Sequence, residues 1–301
     1  VKSGTCVFAH NISIISAKIK WFFAMCAIDF PLDCIQPIAY IVVSIGALIE
    51  GIPRMRYDKP LLEGRLIQRH MRFLADVVID GRTVRVLCPN TGSMAGLTDE
   101  GNRVRISGPY GEHRKYRYTL EQIRIQRPDG RRIWVGINTI VPNVIAYEAL
   151  KARRVPGLEQ YRAIRREVRL GDHSRIDLRL EHPSLPPCWI EVKNVTLVVG
   201  DPAKRKPLND GNIAAFPDAI TARGTKHLQE LIKRVRLGER AVMLYVVQRS
   251  DGELFAPAAA FDPVYAETLR LAEAAGVEVL PMQARVTKAG IWLGKTCARV
   301  R

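Results

Sequence analysis

The chain has 301 residues, room for one large domain or two smaller ones, and a formal net charge of +16. A quarter of its residues are charged and only 7% are aromatic. That balance suits a folded globular protein with an acidic partner, most simply nucleic acid, or a basic protein kept dispersed by its charge. The six cysteines (Cys6, Cys26, Cys34, Cys88, Cys188 and Cys297) form no CxxC pair, which leaves neither a zinc motif nor a disulfide framework and fits a reducing cytoplasm.

Residues 1–54 do not match the remainder. They carry Lys2, Lys18, Lys20 and Arg54 against Asp29, Asp33 and Glu50, so nearly all the net charge lies beyond them. Their apolar runs, 21–28 and 38–49, are shorter than the roughly 18 residues a membrane helix needs, and a signal-peptide pattern is lacking. No stable membrane association is expected. No helical face, repeat or strand alternation requires this segment, so it is expected to be a non-native or unstructured extension, with Met55 as the native start.

From Met55 to about residue 140 the pattern is all-β. Strands are expected over 61–69, 73–79, 83–87, 103–107, 116–125 and 133–137, with Asp80-Gly81 as a hairpin turn. Short strands with closely spaced turns predict a small OB-like barrel. Arg69 and Arg72 beside Phe73, and Arg114 and Lys115 beside Tyr116 and Tyr118, supply the cations and rings that such barrels offer to nucleic acid. The rings serve equally well as barrel core. His70 and His113 read as surface groups. Gly92-Ser93 lies in a turn-forming loop without a matched His/Asp pattern, which argues against a serine hydrolase.

Residues 141–301 alternate helix and strand, which predicts a mixed α/β sheet covered by helices. A helix opens at Pro142-Asn143, with Val144, Ile145, Ala149 and Ala152 as its inner stripe and Glu148 on that stripe. Strands follow at 165–170 and around Asp177, then a Pro-rich turn (183–187), then Trp189 to Asn194. A second helix runs to Leu237, with Ile220, His227, Leu228, Leu231 and Val235 as its apolar stripe. His227 there reads as a satisfied core histidine. Arg223 and Lys226 flank the stripe, within reach of a phosphate backbone. Ala241 to Val247 is apolar throughout, as in a strand buried on both faces. Asp262-Pro263 opens a third helix and Val277 to Leu280 is a further strand.

The chemistry-bearing stretch is Asp177 followed by Glu191-Val192-Lys193. Side chains i and i+2 of a strand share a face, so Glu191 and Lys193 point the same way, and a hairpin can bring Asp177 beside them. Two carboxylates and a lysine at one spot suit a divalent metal and an activated water. An ordinary solvated hairpin face shows the same spacing. The face continues into Val195 and Leu197, which places the charges at the mouth of an apolar surface.

Taken together, Arg72-Phe73-Leu74-Ala75-Asp76-Val77, Cys88-Pro89-Asn90-Thr91-Gly92-Ser93-Met94, Gly136-Ile137-Asn138-Thr139, Ser174-Arg175-Ile176-Asp177, Glu191 to Leu197, Phe216-Pro217-Asp218-Ala219 and Arg223 to Leu228 resemble the sugar fermentation stimulation protein family, SfsA. The resemblance implies an OB-like barrel followed by a mixed-sheet, restriction-endonuclease-like (PD-(D/E)xK) domain. It also implies DNA binding with little sequence preference and a link to regulation of sugar (maltose) metabolism. By residue, Asp177 and Glu191 would be metal carboxylates, Glu148 an additional one, and Lys193 the lysine of the D…ExK pattern, with Mg²⁺ or Mn²⁺ as cofactor. Residues 1–54 have no counterpart in the family, and the loop around Lys204 to Lys206 is longer than usual. Two functions are expected from these features: a DNA-binding protein, or a metal-dependent DNA nuclease. An enzyme for a small acidic metabolite is a third reading, without a Gly-rich phosphate loop to support it.

Overall fold

The computed structural model describes residues 55–170, 174–205 and 208–300. The expectation for residues 1–54 lies outside them. β1 (Met55–Arg56) does not join the barrel; it pairs antiparallel with Gly290 and Ile291 near the far end of the chain.

The barrel consists of β2 (Leu62–His70), β3 (Leu74–Ile79), β4 (Arg82–Leu87), β5 (Arg103–Ser107), β6 (Thr119–Gln126) and β7 (Arg132–Gly136), in the order β4-β3-β2-β5-β6-β7. A parallel step of Leu87 against Thr119 brings β4 onto β6 and closes it. Alternation sends Ala75, Val77, Val86, Val104, Ile106, Ile123 and Val135 inward, and these largely β-branched residues suit a pleated, buried face. Asp80 and Gly81 both have positive φ, 47° and 75°, as a two-residue hairpin turn demands. Tyr118 packs at the margin of the barrel core, whereas Phe73 is 42% exposed on the β2–β3 turn and contributes little to it.

The second part holds α1 (Val141–Lys151), β8 (Ala163–Leu170), β9 (Ser174–His182), β10 (Leu185–Val195), β11 (Leu197–Val199), β12 (Ile213–Phe216), α2 (Ala222–Arg236), β13 (Arg240–Val247), β14 (Leu254–Pro257), α3 (Pro263–Ala274), β15 (Glu278–Val286), β16 (Gly290–Thr296) and β17 (Ala298–Arg299). Its main sheet runs β1-β16-β15-β13-β10-β9-β8, with β13 parallel to both β10 and β15. β13 is buried from Ala241 to Val247, as its unbroken apolar run predicts. α1 covers one face, where Ile145 and Ala149 meet Ile190, Val192 and Leu244. α2 and α3 cover the other, where Leu228, Leu231 and Tyr265 meet Trp189, Val195 and Tyr245. The Thr221 hydroxyl accepts from Gly224 N at 3.1 Å and the Asp262 carboxylate from Tyr265 N at 2.9 Å, each capping a helix start. None of the helices among the described residues is long and apolar enough to cross a membrane.

Several local expectations shift. The hairpin turn is shorter than 183–187: β10 begins at Leu185, and a register shift between Leu185 and Cys188 absorbs Pro186 and Pro187, where a missing N–H is tolerated. Ile220 lies ahead of α2 rather than on its stripe, and is 80% exposed. The buried stripe of α1 is Val141, Pro142, Ile145, Ala146, Ala149 and Leu150, so Val144 and Glu148 fall at its edge. Leu197 leaves the main sheet for a second one, β11-β12-β14-β17.

Polar contacts join barrel and sheet. The Arg127 guanidinium pairs with the buried Asp251 carboxylate, and Gln122 Nε2 donates to Thr287 O at 2.7 Å. Gly136 N on β7 donates to Gln248 O at 2.9 Å, and a Cβ on Gly136 would collide with Gln248 Oε1. Glycine is required there because strand β7 approaches Gln248 so closely. The seam leaves a cleft between the two parts, and the candidate site lies at its floor.

Candidate functional site

The cleft has a volume of about 620 Å³, and Asp177, Glu191, Lys193 and Asn143 line it. β9 and β10 are antiparallel neighbours, which places Asp177 beside the Glu191-Val192-Lys193 segment. Asp177 Oδ2 accepts from Val192 N at 2.7 Å, and Oδ1 accepts from the Asn143 amide at 2.8 Å. The carboxylate is thus held by one backbone and one helix donor. Glu191 is 3% exposed and faces α2. Its Oε1 accepts from Lys193 Nζ at 2.6 Å and from Nδ1 of the buried His227. A carboxylate can only accept, so that ring nitrogen carries the proton.

The electrostatics of the two carboxylates diverge. Burial, and then the neighbouring Glu191 charge, push the Asp177 carboxyl up to about 6. Burial also works to raise Glu191, but the His227 hydrogen bond and the Lys193 charge outweigh it and hold Glu191 below the ordinary carboxylate range. Glu191 Oε2 is buried and has no hydrogen-bond partner. A buried, unpartnered carboxylate oxygen is costly unless something positive meets it. Beside a second carboxylate that resists ionisation, it fits a divalent cation. Among the described residues no three His, Cys, Asp or Glu side chains form a ready-made cage. Backbone, water or substrate oxygens would complete the shell, which hard cations accept.

The other candidate residues divide between the cleft and the surface. Glu148 does not line the cleft; the α1 residues that do are Pro142 and Asn143, because the buried stripe of α1 runs on through Ile145 and Ala149. Arg72 and Arg223 are exposed and line the cleft. Lys226 is exposed on α2 away from the lining, and Arg114 and Lys115 sit in the β5–β6 loop, against Tyr110 and Tyr116. Arg69 lines the cleft, but its donors serve the chain itself. Its guanidinium donates to the carbonyls of Arg72, Asn90, Gly92 and Ser93 at 2.6–3.1 Å. It thereby clamps the β2–β3 turn, where Met71 and Arg72 both have positive φ, 45° and 66°, a conformation that costs non-glycine residues. The loop it holds meets the other wall, where Ser93 Oγ donates to Asp218 O and Met94 N to Asp218 Oδ2, both at 2.8 Å.

Sequence reasoning missed two residues. From the sequence, Asn143 is part of a helix start and His227 a core histidine. The available sign was a lone polar residue on the apolar stripe of α2 facing a strand that carries Glu191: a buried histidine needs a partner, and so does a buried carboxylate.

An OB-type barrel joined to a mixed α/β sheet, with Asp177, Glu191 and Lys193 gathered on two adjacent strands at the cleft, defines a two-part architecture. Residues 67–137 match the SfsA N-terminal OB domain, and residues 140–290 the sugar fermentation stimulation protein RE domain. The chain is 45% identical over 250 residues to the sugar fermentation stimulation protein homolog of Rhodospirillum rubrum, covering 80% of this chain and 97% of that one. To the homolog of Geobacter metallireducens it is 48% identical over 236 residues, covering 77% and 94%. The solved structure of Pyrococcus furiosus SfsA in complex with Ca²⁺ superposes with a TM-score of 0.71 at 26% identity, covering 83% of this chain and all of that one. The chain belongs to the sugar fermentation stimulation protein family.

Proposed function

We propose that this protein binds DNA with little sequence preference and hydrolyses phosphodiester bonds in the cleft with Mg²⁺ or Mn²⁺. The observation that carries the reading is the buried Glu191 Oε2 without a partner, beside an Asp177 whose carboxyl is pushed up to about 6. The Ca²⁺ named with the Pyrococcus furiosus relative supports a divalent site. Asp177 and Glu191 would hold the ion. Bound there, the ion would polarise the scissile phosphate and lower the pKa of a water. Asn143 and Val192 N fix the Asp177 carboxylate. His227 anchors Glu191 in one rotamer, as partners behind a ligand do. Lys193, part-buried at the cleft, carries the positive charge that can stabilise charge building on the phosphate. Arg72 and Arg223 would hold the flanking phosphates.

The second reading is DNA binding without cleavage, serving control of sugar metabolism. It is favoured by the net charge of +16 and by the name that the relatives share. The two are separated by incubating plasmid and linear DNA with Mg²⁺ or Mn²⁺, comparing wild type with Asp177→Ala and Lys193→Ala. Hydrolysis is expected in the wild type and lost in both variants. Binding with no hydrolysis in any of the three leaves the second reading. Cleavage surviving both substitutions assigns it elsewhere and overturns the site.

A further inference from the structure

The barrel carries a second concentration of positive charge outside the cleft. Arg65 on β2 is directly opposite Arg103 on β5, Arg103 is opposite Arg124 on β6, and Arg124 is opposite Trp134 on β7. With Arg132 at the end of β7, these arginines line a recess of about 270 Å³ that shares no lining residue with the cleft. Like charges placed directly opposite on neighbouring strands repel and destabilise a sheet. Compensation from the protein is thin. Glu63 reaches Arg103 at 2.5 Å and Arg105 at 3.2 Å, while Lys288 adds a further cation 3.9 Å from Glu63. Among the described residues no carboxylate lies within 4 Å of Arg65, Arg124 or Arg132. Partial burial, and after it the charges of Arg103 and Arg132, hold the Arg124 guanidinium below its ordinary pKa. The row lacks an anion that the chain does not provide.

The geometry points to the phosphodiester backbone of DNA as that anion: the row Arg65, Arg103 and Arg124, with Arg132 beside it, is a second DNA seat on the barrel. It rests on the reading that DNA is the partner, but not on cleavage. Trp134 tells which part of the nucleic acid is held. The Arg105 guanidinium lies 3.7 Å from the Trp134 ring centroid and that of Arg124 5.7 Å from it. The ring is engaged by cations of the protein and is not a free platform for stacking bases. The seat therefore grips phosphates and reads no sequence. Arg65 and Arg69 share strand β2, about 13 Å apart along it, with a register shift between Leu66 and Gln68 turning the strand between the seat and the cleft wall.

The test compares wild type with the R124Q/R132Q double variant, using the full chain. Fluorescence anisotropy with a 30-base-pair duplex is measured over a series of KCl concentrations, and melting temperature is measured without DNA. Loss of two phosphate contacts is expected to weaken binding about tenfold near 100 mM salt and to reduce the slope of log K against log salt by about 2. The DNA-free variant is expected to melt at the wild-type temperature or slightly above it, because a repulsion has been relieved. Wild-type affinity and slope in the variant overturn the seat while leaving the cleft reading intact. A variant that melts several degrees lower shows that the arginines serve the barrel itself, and also overturns it. A wild type that binds no duplex removes the DNA reading and the seat together. Equal losses for the duplex and for polyglutamate would show a general anion surface instead of a DNA seat.

Discussion

The cleft floor and the outer face of the barrel both crowd charge into a few ångströms, and they resolve the crowding differently. In the cleft, donors meet a carboxylate: Lys193 and His227 converge on Glu191 Oε1, and the imbalance is confined to Oε2 and the neighbouring Asp177. On the barrel face, like charges stand in register with one nearby acid. The first arrangement is buried and oriented, as chemistry at one atom requires. The second is partly exposed and repetitive, as suits a polyanion recognised through its repeating charge. Burial together with pairing, more than charge alone, separates the proposed reaction site from the proposed binding surface in this molecule.

The largest expected effect breaks the cleft and spares the barrel. Glu191→Gln removes the charge that faces the orphaned position and keeps the side-chain shape. On the proposed function, metal-dependent hydrolysis is expected to fall by about a thousandfold or more, since the substitution would remove a ligand charge from an ion whose Lewis-acid effect is worth several kcal/mol. Duplex binding without metal, measured by anisotropy, is expected to stay within about twofold. A variant that loses hydrolysis and DNA affinity in proportion would show that the two regions are one site.

A smaller effect comes from setting two barrel arginines against each other. Arg69 donates to four backbone carbonyls and holds a turn with two positive-φ residues; Arg124 has no carboxylate partner among the described residues. Arg69→Ala is expected to cost about 2–3 kcal/mol in urea unfolding, in line with hydrogen bonds from a charged group to otherwise unpaired carbonyls. Arg124→Ala, at a half-buried side chain with no carboxylate partner, is expected to cost less than about 1 kcal/mol, mostly through lost packing of its stem. Equal costs at both positions would erase the distinction between a structural and a binding arginine.

Much of this arrangement is legible in the sequence. The barrel strands show in their alternation, and the ExK spacing put Glu191 and Lys193 on one strand face beside Asp177. Their partners were not legible, because Asn143 and His227 reach the site only through the way α1 and α2 pack on the sheet. Glu148 was misplaced for a related reason. The stripe of α1 was read through Val144 and Ala152, but it runs through Val141, Ile145 and Ala149; at 100° per residue, a small error in phase turns an edge residue into an apparent inward one. Arg69 and Arg72 looked alike in sequence, since nothing local tells which guanidinium will meet backbone carbonyls. β12, β14 and β17, at two to four residues, are too short for a period to register, and the second sheet they form with β11 was invisible.

The smallest expected effect sharpens the same contrast through pH. In the metal-free protein the Asp177 carboxyl is pushed up to about 6 by burial and by Glu191. A raised carboxyl stabilises the fold fully below the unfolded value of 3.8, and that stabilisation is lost as pH rises through about 6. A divalent ion must displace the proton that Asp177 keeps below that point. Mn²⁺ affinity, measured by titration calorimetry from pH 5 to pH 8, is therefore expected to be level above about 7 and to fall towards tenfold per pH unit below about 6. Asp177→Asn should flatten the profile and weaken binding throughout. Guanidinium groups stay charged over this range, so the contribution of the barrel row to duplex binding, taken as the difference between wild type and R124Q/R132Q, should not change between pH 5 and pH 8. A barrel contribution that tracked the Mn²⁺ curve would mean that the two regions are coupled through the seam, and that the cleft floor controls how the barrel holds DNA.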